Sequence, residues 1–440
     1  MGVKLLNKVL LVGGGGREDA IARKIVESGG ILYAALKNRN PSILRLSRVH
    51  LIGDELNYQA ISKFAIDNRV DIAIVGPDPV LETPLVETLV SSGIKVASPD
   101  RKAATIETSK EFLRSFMKRN GIPGDVENWV FRGARELESF FQTLDFDVAV
   151  KPVGLTGGKG VKVMGIQLSS REEALSYARS VLERDGVVLI EKRLVGEEFS
   201  LQAFTDGKSI IPMPIAQDYK RALEGDLGPN TGGMGSITDS DHLLPFLNSH
   251  LREESIEIMK QVVAGMRKEE RVFRGILYGQ FMTDGSRVNV VEINARFADP
   301  EGINVMSIMD GNFIEALYGI ADGELKNNVL FRNKATVLKY IVPKGYGTSP
   351  QPSVLRIENL KESENFKYYY AQVSGTMDEV VQSSSRSLAL VGIGESIEDA
   401  SRIVEENIPK VKGEFYVRHD IGSPEMMRIK VERMRRGFSQ

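Results

Sequence analysis

Residues 217–236 read QDYKRALEGDLGPNTGGMGS, and the rest of the chain is organised around this stretch. It opens with one acidic side chain, Asp218, and two cations, Lys220 and Arg221, and it closes in a run rich in glycine. No helical or strand periodicity crosses it, so the pattern predicts a long loop. Its backbone amides, hydroxyl group and cations are groups that bind anions. A loop of this kind is usually functional, although a surface cluster of turns with solvated charges has the same composition.

The composition predicts a globular protein with more than one domain. The chain has 440 residues, of which 42% are hydrophobic and 26% are charged. A chain of this length exceeds one ordinary core, and we expect about two to four domains. The formal net charge of -2 argues against a nucleic-acid binder that depends on bulk electrostatics.

Composition also excludes several kinds of site. The chain contains no cysteine, which rules out disulfides, thiolate metal sites and cysteine nucleophiles and fits a cytoplasmic enzyme. Its histidines do not have the spacing of a zinc site. The N-terminal residues lack the apolar core of a signal peptide, and no apolar run approaches the roughly 20 residues that span a bilayer. We therefore expect a cytoplasmic protein with no membrane partner.

A phosphate-binding turn is predicted near the N terminus. Short apolar runs alternate with helical stretches over residues 8–97, which predicts a doubly wound parallel sheet. Four consecutive glycines, Gly13 to Gly16, follow the first strand, where helix-terminal amides can meet a phosphate. They do not spell the dinucleotide pattern G-x-G-x-x-G, because its last position falls on Glu18 or Asp19. A smaller phosphate-bearing ligand fits better, and a tight turn without a ligand is the alternative.

A second glycine-rich segment lies between two predicted strands. The strand at 147–151 leads into residues 152–160, and apolar alternation resumes at 161–166. This turn fails the Walker phosphate-loop pattern, since Lys159 is followed by Gly160 rather than by serine or threonine. A flexible glycine loop between antiparallel strands can instead fold over the phosphates of a nucleotide.

Two further strands end in candidate ligands. One runs into Glu191, with Glu198 after a turn, and such acids can hydrogen-bond an adenine amino group and a ribose diol, although charged strand ends are common. On a later strand, Glu292 and Asn294 share one face. Their hard oxygen atoms suit Mg²⁺ or Mn²⁺, with bound phosphates completing the coordination shell. Arg296 extends this face, and a structural salt bridge is the alternative.

The amino-acid pattern changes again beyond residue 326. Strand and helix patterns between residues 335 and 406 predict a small α+β module with no obvious chemistry of its own. Residues 426–440 are basic and predict a terminal helix or tail.

Taken together, these segments resemble the phosphoribosylamine–glycine ligase family (glycinamide ribonucleotide synthetase) of the ATP-grasp superfamily. The most specific match is GPNTGGMG at 228–235, with Gln217-Asp218 and Lys220-Arg221 before it. The other matches are collinear and lie at residues 14–18, 75–77, 109–110, 151–161, 191–198 and 292–301.

The resemblance implies a multidomain α/β and α+β fold. Residues 1–105 would form a Rossmann-like domain with the doubly wound parallel sheet. Residues 106–328 would form an ATP-grasp domain of two α+β subdomains, with a flexible lid at about 124–190. Residues 329–440 would form a small C-terminal α+β domain with a basic tail.

The resemblance also implies a reaction of de novo purine biosynthesis. ATP would phosphorylate the carboxylate of glycine, and the amine of 5-phosphoribosylamine would attack the glycyl phosphate, giving glycinamide ribonucleotide, ADP and phosphate. Mg²⁺ or Mn²⁺ would accompany ATP. The partners would be these small molecules, with no nucleic acid, and the protein would be a monomer or a homodimer.

The resemblance assigns site residues by position. The residues implied to act at the reacting groups are Asp218, Lys220, Asn230, Thr231, Gly232, Arg296 and Asp299. Those implied to bind ATP are Lys110, Lys151, Gly157, Gly158, Glu191, Leu194 and Glu198. Those implied to bind phosphoribosylamine or glycine are Gly15, Gly16, Arg17, Glu18, Pro229 and Gly233. Glu292 and Asn294 would bind the metal.

The chain departs from the family pattern at several positions. Asp19 and Tyr219 stand where the family has histidine, Asp78 replaces glutamate, Gly302-Ile303 replaces T-Q, and residues 36–41 match P-G-N-x-G-T only loosely. We expect most of these positions to lie around the phosphoribosylamine or glycine sites, with Lys37 and Arg39 able to contact phosphate through charge.

Two other functions are therefore open from the sequence. One is an ATP-grasp ligase that uses a different acceptor, and the other is a nucleotide sensor without turnover. The metal and phosphate ligands argue against the sensor, which has no need of a clamp for phosphoryl transfer.

Overall fold

The N-terminal residues form the doubly wound parallel sheet that the apolar runs predict. The computed structural model describes residues 7–157, 160–326 and 328–437. The strands are β1 (Lys8–Val12), β2 (Ile31–Leu36), β3 (Val49–Ile52), β4 (Ile72–Val75) and β5 (Lys95–Val96). The helices are α1 (Gly16–Glu27), α2 (Pro41–Leu46), α3 (Tyr58–Asp67), α4 (Asp78–Leu81) and α5 (Leu85–Ser91). The strand order is β3-β2-β1-β4-β5, and every pairing is parallel. The carboxyl ends of the strands therefore share one edge of the sheet. Residues that follow β1 and β4 at this edge lie close to residues from the central part of the sequence.

The prediction was incomplete between residues 36 and 91. Helix α2 and strand β3 were not anticipated, because both are short and show little periodicity. Helix α4 is also too short to show a period, and α5 begins directly after Pro84, which is its N-cap residue.

The middle of the chain forms two antiparallel α+β units. The first contains α6 (Arg101–Thr108), α7 (Lys110–Asn120), β6 (Asn128–Phe131), α8 (Ala134–Thr143), β7 (Val148–Lys151), β8 (Lys162–Val163), α9 (Arg171–Asp185) and β9 (Val188–Lys192). Its sheet order is β6-β9-β7-β8, and α8 and α9 pack on it around a separate hydrophobic core. A core of its own is what a lid that moves as one body requires.

The second unit carries the long strands of the site. Its elements are β10 (Glu197–Asp206), β11 (Ile210–Pro212), β12 (Gln217–Asp218), β13 (Arg221–Leu223), β14 (Leu227–Asn230), β15 (Gly235–Thr238), α10 (Ser249–Lys268), β16 (Arg274–Thr283), β17 (Val288–Asn294), α11 (Glu301–Met306), β18 (Met309–Asp310), α12 (Phe313–Asp322) and β19 (Leu330–Phe331). The main sheet has the order β11-β10-β16-β17. Its β16–β17 hairpin turns at Asp284-Gly285.

Residues 217–236 are not a loop, so that prediction was wrong. Strands β13 and β14 pair as an antiparallel hairpin, and β12 pairs with β15. These strands have only two to four residues each, too few to establish a period in the sequence. The stretch is therefore held by backbone pairing on both sides of the hairpin.

The C-terminal module shares a sheet with this central stretch. Its elements are β20 (Ala335–Ile341), β21 (Val354–Ile357), β22 (Phe366–Tyr370), β23 (Val373–Gly375), β24 (Glu379–Gln382), β25 (Leu388–Gly394), α13 (Ile397–Asn407), β26 (Val411–Lys412) and α14 (Pro424–Arg436). One sheet has the order β12-β15-β20-β25-β22, and a second has the order β23-β24-β21-β26. The predicted multidomain α/β and α+β class is confirmed, and one sheet joins two of its parts. Among the described residues, no helix has the length and apolarity that crossing a membrane requires.

Asp19 joins the N-terminal sheet to the C-terminal module. Its carboxylate is fully buried and accepts hydrogen bonds from Ser42 Oγ at 2.6 Å and from the Tyr370 amide at 2.8 Å. Arg23 donates to the same carboxylate from one turn further along α1. The histidine position of the family pattern is therefore used here for a structural ion pair, and Asp19 does not line a ligand cavity.

Replacing Asp19 with asparagine is expected to destabilise the fold. Asp19→Asn leaves Arg23 without its buried counter-charge, and breaking such a pair costs about 3 kcal/mol of unfolding free energy. Urea unfolding followed by circular dichroism measures the change. The matched control, Asp67→Asn, removes an exposed helical ion pair with Lys63 and should change stability by less than about 0.5 kcal/mol. Equal stability of the two variants would contradict the structural role of Asp19.

Candidate active site

A cleft of about 960 Å³ opens where the parallel sheet, the two antiparallel units and the C-terminal module meet. It brings together residues that lie far apart in the sequence. The predicted site residues in its wall are Gly15, Gly16, Arg17, Glu18, Lys110, Lys151, Gly157, Glu191, Leu194, Glu198, Asp218, Lys220, Asn230, Thr231, Gly232, Glu292, Asn294, Arg296 and Asp299.

Three predicted residues are not placed in this wall. Pro229 and Gly233 do not line the cleft, and Gly233 has a φ of +103° and packs against Pro300. Gly158 lies outside the described residues.

A buried triad of charges lies at one end of the cleft. Glu191, at 3% exposure, accepts hydrogen bonds from Arg114 Nε at 2.7 Å and from Lys151 Nζ at 2.6 Å. Burial alone would raise the pKa of Glu191, but the two cations lower it to about 2. The carboxylate is thus the fixed counter-ion of Lys151. Arg114 was missed from the sequence, although a charged residue among the buried positions of the amphipathic helix α7 was the available signal.

Lys110 stands opposite Lys151 across the same end. It begins α7, which is capped by Ser109, and its Nζ donates to the carbonyl of Gly154 at 2.8 Å. Burial lowers the pKa of Lys110, Glu292 raises it and the nearby Lys151 lowers it further. Two partly desolvated cations close together favour a polyanion between them.

Glu198 and Lys220 form the next contact along the cleft. Lys220 Nζ lies 3.1 Å from Glu198 Oε2, which also accepts a hydrogen bond from Gln280. Burial would lower the pKa of Lys220, but Glu198 and Asp218 raise it above its ordinary value. Lys220 therefore stays charged.

Glu292 and Asn294 lie side by side on β17, as the strand period predicts. Asn294 Nδ2 donates to Glu292 Oε1 at 3.0 Å. Burial would raise the pKa of Glu292, but Lys220 and this hydrogen bond lower it. In the part of the chain that the structure describes, no cluster of three acidic or histidine ligands occurs. An ionised carboxylate and an amide oxygen fit a divalent cation that takes its remaining ligands from phosphates and water.

Asp218 lines the cleft, and one of its side-chain oxygens lies against Gly233. Its Oδ1 is buried and has no hydrogen-bond partner. Burial raises the pKa of Asp218 well above its usual value, and the neighbouring carboxylate of Glu301 adds to the effect.

Arg296 lines the cleft. It also forms a structural salt bridge, which the sequence left open as the alternative to a role in the site. Its NH2 group lies 3.1 Å from Glu107 Oε1, and Asp78 is 3.9 Å from its Nε. Burial raises the pKa of Glu107 to about 7, against the opposing effect of Arg296. The guanidinium is thus held at the wall by two acids from the N-terminal half.

The C-terminal module contributes Arg386 to the wall, although the sequence showed no obvious chemistry in this module. Arg386 lies 3.1 Å from Asp299 Oδ1, donates to the Asp299 carbonyl at 2.8 Å and also donates to the Gly232 carbonyl. Tyr340 Oη donates to the same Asp299 oxygen at 2.6 Å. The sequence missed Arg386 because it follows three serines in what reads as an ordinary turn. The other C-terminal residues in the wall are Ala371, Gln372, Ser383, Ser384, Ser385, Lys430 and Arg433.

Arg17 and Glu18 fix the N-terminal glycine turn. Arg17 donates to Glu18 Oε1 at 2.7 Å and to the Phe297 carbonyl at 2.9 Å. Glu18 Oε2 accepts a hydrogen bond from the Gly15 amide at 2.8 Å. The turn therefore meets the cleft in a preorganised shape.

Most departures from the family pattern lie away from the cleft, contrary to expectation. Asp19, Tyr219 and Gly302-Ile303 do not line it, whereas Lys37 and Asp78 do.

Residues 36–41, which match the family pattern only loosely, connect the N-terminal glycine turn to the C-terminal module. Arg39 in this segment does not line the cleft. Asn38 and Asn40 both donate to the carbonyl of Gly14. Asn40 also donates to the Tyr370 carbonyl of the C-terminal module at 2.8 Å.

Three sequence models of phosphoribosylglycinamide synthetase match the chain in order. The N domain matches residues 7–107, the ATP-grasp (A) domain residues 108–302 and the C domain residues 336–424. A phosphoribosylamine–glycine ligase of Pyrococcus horikoshii is 44% identical over 432 residues, 98% of each chain. One of Methanothermobacter thermautotrophicus is 44% identical and covers 97% of this chain and 99% of its own.

A solved structure gives the same result. The crystal structure of phosphoribosylamine–glycine ligase from Thermotoga maritima aligns with a TM-score of 0.79 at 26% identity, covering 94% of this chain and 100% of that one. The fold and cleft are those of an ATP-grasp ligase. The chain belongs to the phosphoribosylglycinamide synthetase family. The family, fold class and enzyme class predicted from the sequence are confirmed, and nothing in these findings favours a sensor.

Arg386→Met is expected to impair catalysis without unfolding the protein. The variant loses the cation that holds Asp299 and the Gly232 carbonyl. Displacement of these two groups in the cleft should lower kcat/KM by about 100-fold. The affinity for ADP, measured by calorimetry, should be unchanged because Arg386 lies away from the Lys110–Lys151 end. The control, Arg356→Met, removes an exposed ion pair with Glu379 in the same module and should leave kcat/KM unchanged. A normal kcat/KM in Arg386→Met would remove Arg386 from the site.

Proposed function

We propose that the chain joins glycine to 5-phosphoribosylamine and converts ATP to ADP and phosphate, through a glycyl phosphate intermediate. The observation that carries this proposal is 44% identity to a phosphoribosylamine–glycine ligase over 98% of both chains. The cleft supports it, because cations, hard oxygen ligands and an anion-binding glycine turn share one wall. The product would be glycinamide ribonucleotide, an intermediate of purine biosynthesis.

ATP binds at the end that contains Lys110 and Lys151. The two ammonium groups neutralise its phosphates, and the glycine loop that contains Gly157 covers them. Glu191 holds Lys151 in position, which is a different role from the predicted contact with the adenine edge. Leu194 and Glu198 then contact the nucleoside.

Glu292 and Asn294 hold Mg²⁺ or Mn²⁺. The ion, when bound, neutralises charge on the phosphoryl group that is transferred. Lys220 and the hydrogen bond from Asn294 lower the pKa of Glu292, so its carboxylate is ionised at neutral pH. An ionised Glu292 carboxylate is the hard oxygen ligand that Mg²⁺ or Mn²⁺ prefers.

Glycine binds between Asp218 and Arg296. The side chain of Asp218, which lines the cleft, accepts a hydrogen bond from the amino group of glycine. The Arg296 guanidinium faces the carboxylate and then the acyl phosphate. The backbone from Asn230 to Gly232 supplies further contacts, with the loop fixed by Thr231 Oγ1 donating to the Lys220 carbonyl at 2.9 Å.

Phosphoribosylamine binds at the N-terminal glycine turn. The amides of Gly15 and Gly16, at the start of α1, and the side chains of Arg17 and Lys37 face its anionic sugar phosphate. Its amine attacks the carbonyl carbon of glycyl phosphate, the C–O bond to phosphate breaks, and phosphate leaves with the electron pair. The amine loses a proton in forming the amide. No protein nucleophile takes part, so the chain contributes orientation and charge stabilisation.

Phosphate release from ATP tests the function. It is measured with glycine present, adding freshly generated phosphoribosylamine or leaving it out. Release that requires both substrates supports the proposed ligase. Release with glycine that ignores the amine would indicate another acceptor, and no release with glycine would contradict the proposal.

Glu292→Gln is expected to abolish phosphoryl transfer while the protein stays folded. The amide cannot replace the anionic metal ligand, so turnover should fall by about a thousandfold or more. Phosphate release at saturating metal measures this loss. The control is Glu253→Gln, an exposed position on α10 that should retain full activity. Near-normal turnover of Glu292→Gln at low metal concentration would refute the metal assignment.

Arg17→Ala is expected to weaken binding of the amine substrate more than binding of ATP. Loss of a charged donor to phosphate raises KM for phosphoribosylamine by about tenfold. Steady-state kinetics with each substrate varied in turn measures the ratio. A raised KM for ATP with an unchanged KM for the amine would place the glycine turn at the nucleotide instead.

A further inference from the structure

Helix α14 forms part of the cleft wall, although it was predicted only as a basic terminal helix or tail. It spans Pro424–Arg436, whereas the match to the family's C domain ends at residue 424. Its sequence, PEMMRIKVERMRR, contains five basic and two acidic residues. Lys430 and Arg433 line the cleft beside Leu194, Gly196 and Glu198, at the end proposed for the nucleoside.

The helix is anchored to the rest of the protein. Ser423 caps its N terminus, and Met426 and Met427 are buried in the main hydrophobic core. At its other end, Met434 approaches the turn at Gly285, between the long strands β16 and β17. The helix therefore runs along the edge of the nucleotide-binding unit in a fixed position.

Lys430 makes the decisive contacts. It is only 5% exposed, and its Nζ donates to Glu197 Oε2 at 3.3 Å. The same Nζ lies 3.7 Å from Asp226 Oδ2 and 5.2 Å from the centre of the Tyr219 ring. Tyr219 is the residue that stands where the family pattern has histidine, so this departure supplies an aromatic face for the cation of α14. Arg433 reaches Glu197 at 3.6 Å.

Glu197 is the first residue of β10, next to the turn at 194–196 and between the proposed nucleoside contacts Leu194 and Glu198. On its other side the turn is pressed against β16, because a Cβ at Gly196 would lie 2.3 Å from the Thr283 carbonyl oxygen. Residues 194–198 are thus held by β16 on one side and by Lys430 on the other. A change at Lys430 releases its contacts to Glu197 and Asp226 and leaves the pairing of Glu197 with Thr283 on β16 in place. The contact to Glu197 is the shorter of the two, so we expect nucleotide binding to be affected more than binding of the other substrates.

We propose that α14 is the outer wall of the nucleotide site and that Lys430 is a positioning residue, which acts through Glu197 to hold residues 194–198 against a purine nucleoside triphosphate. The proposal rests on the proposed function for the placement of ATP. The proposal predicts that nucleotide affinity depends on α14. This helix follows residue 424, where the match to the family's C domain ends.

The test compares Lys430→Met, Lys430→Arg and Arg428→Met in the full chain. Calorimetry with ADP and Mg²⁺, without glycine or amine, should show about tenfold weaker binding to Lys430→Met, the loss expected for one charged hydrogen bond. KM for ATP should rise by a similar factor, while KM for glycine and kcat stay within about twofold of the wild type. Lys430→Arg should restore most of the affinity. Arg428→Met, at an exposed ion pair on the same helix, should bind ADP as the wild type does.

Two results would overturn the proposal. One is wild-type ADP affinity in a folded Lys430→Met protein, and the other is an equal rise of KM for ATP and for glycine. If thermal melting shows that Lys430→Met does not fold, Arg433→Gln replaces it, because that side chain is 59% exposed. Its ADP affinity should fall by about threefold, and no change would overturn the proposal. A wild-type protein that binds ADP but releases no phosphate would refute the proposed function alone.

Discussion

The carboxylate of Asp299 joins the three parts of the molecule at one point. Oδ1 accepts from Tyr340 and pairs with Arg386, both from the C-terminal module, while Oδ2 accepts a hydrogen bond from the Arg17 amide at 3.4 Å. Asp299 itself follows β17, the strand that presents Glu292. The glycine turn, the oxygen ligands and the C-terminal arginine therefore take up a common geometry only when all three parts are in place. Such preorganisation is what a reaction without a protein nucleophile requires.

Charge balance explains how so many ionised groups can be buried in one cleft. Lys151 is neutralised by Glu191, Lys220 by Glu198, and Arg296 by Glu107. Each pair avoids the cost of an isolated buried charge, which amounts to several kcal/mol. Lys110 has only a carbonyl as its close partner among these contacts, and burial lowers its pKa. The incoming phosphates supply the missing negative charge, so nucleotide binding completes a balance that the protein leaves open.

The fold class could be predicted from the sequence, because glycine turns, strand-end acids and apolar runs are local signals. Most of the predicted site residues line the cleft, and the resemblance to the ligase family assigned many of them. Glu292 and Asn294 follow from a local signal, since a two-residue strand period alone puts them on one face. Arg386 and Lys430 could not be found in this way. Their role depends on the pairing of β15 with β20 and on the packing of α14, contacts between distant segments that leave no local period. Residues 217–236 were misjudged for a related reason, because their strands are too short to show alternation.

The most direct test of the chemistry uses glycine labelled with ¹⁸O in both carboxylate oxygens. If the carboxylate attacks the γ-phosphorus of ATP and the amine then displaces phosphate from the acyl carbon, one labelled oxygen must leave with the phosphate. Mass spectrometry of the products should find one ¹⁸O atom in each released phosphate and the other in the amide carbonyl. Unlabelled phosphate, released together with glycinamide ribonucleotide, would contradict the glycyl phosphate intermediate.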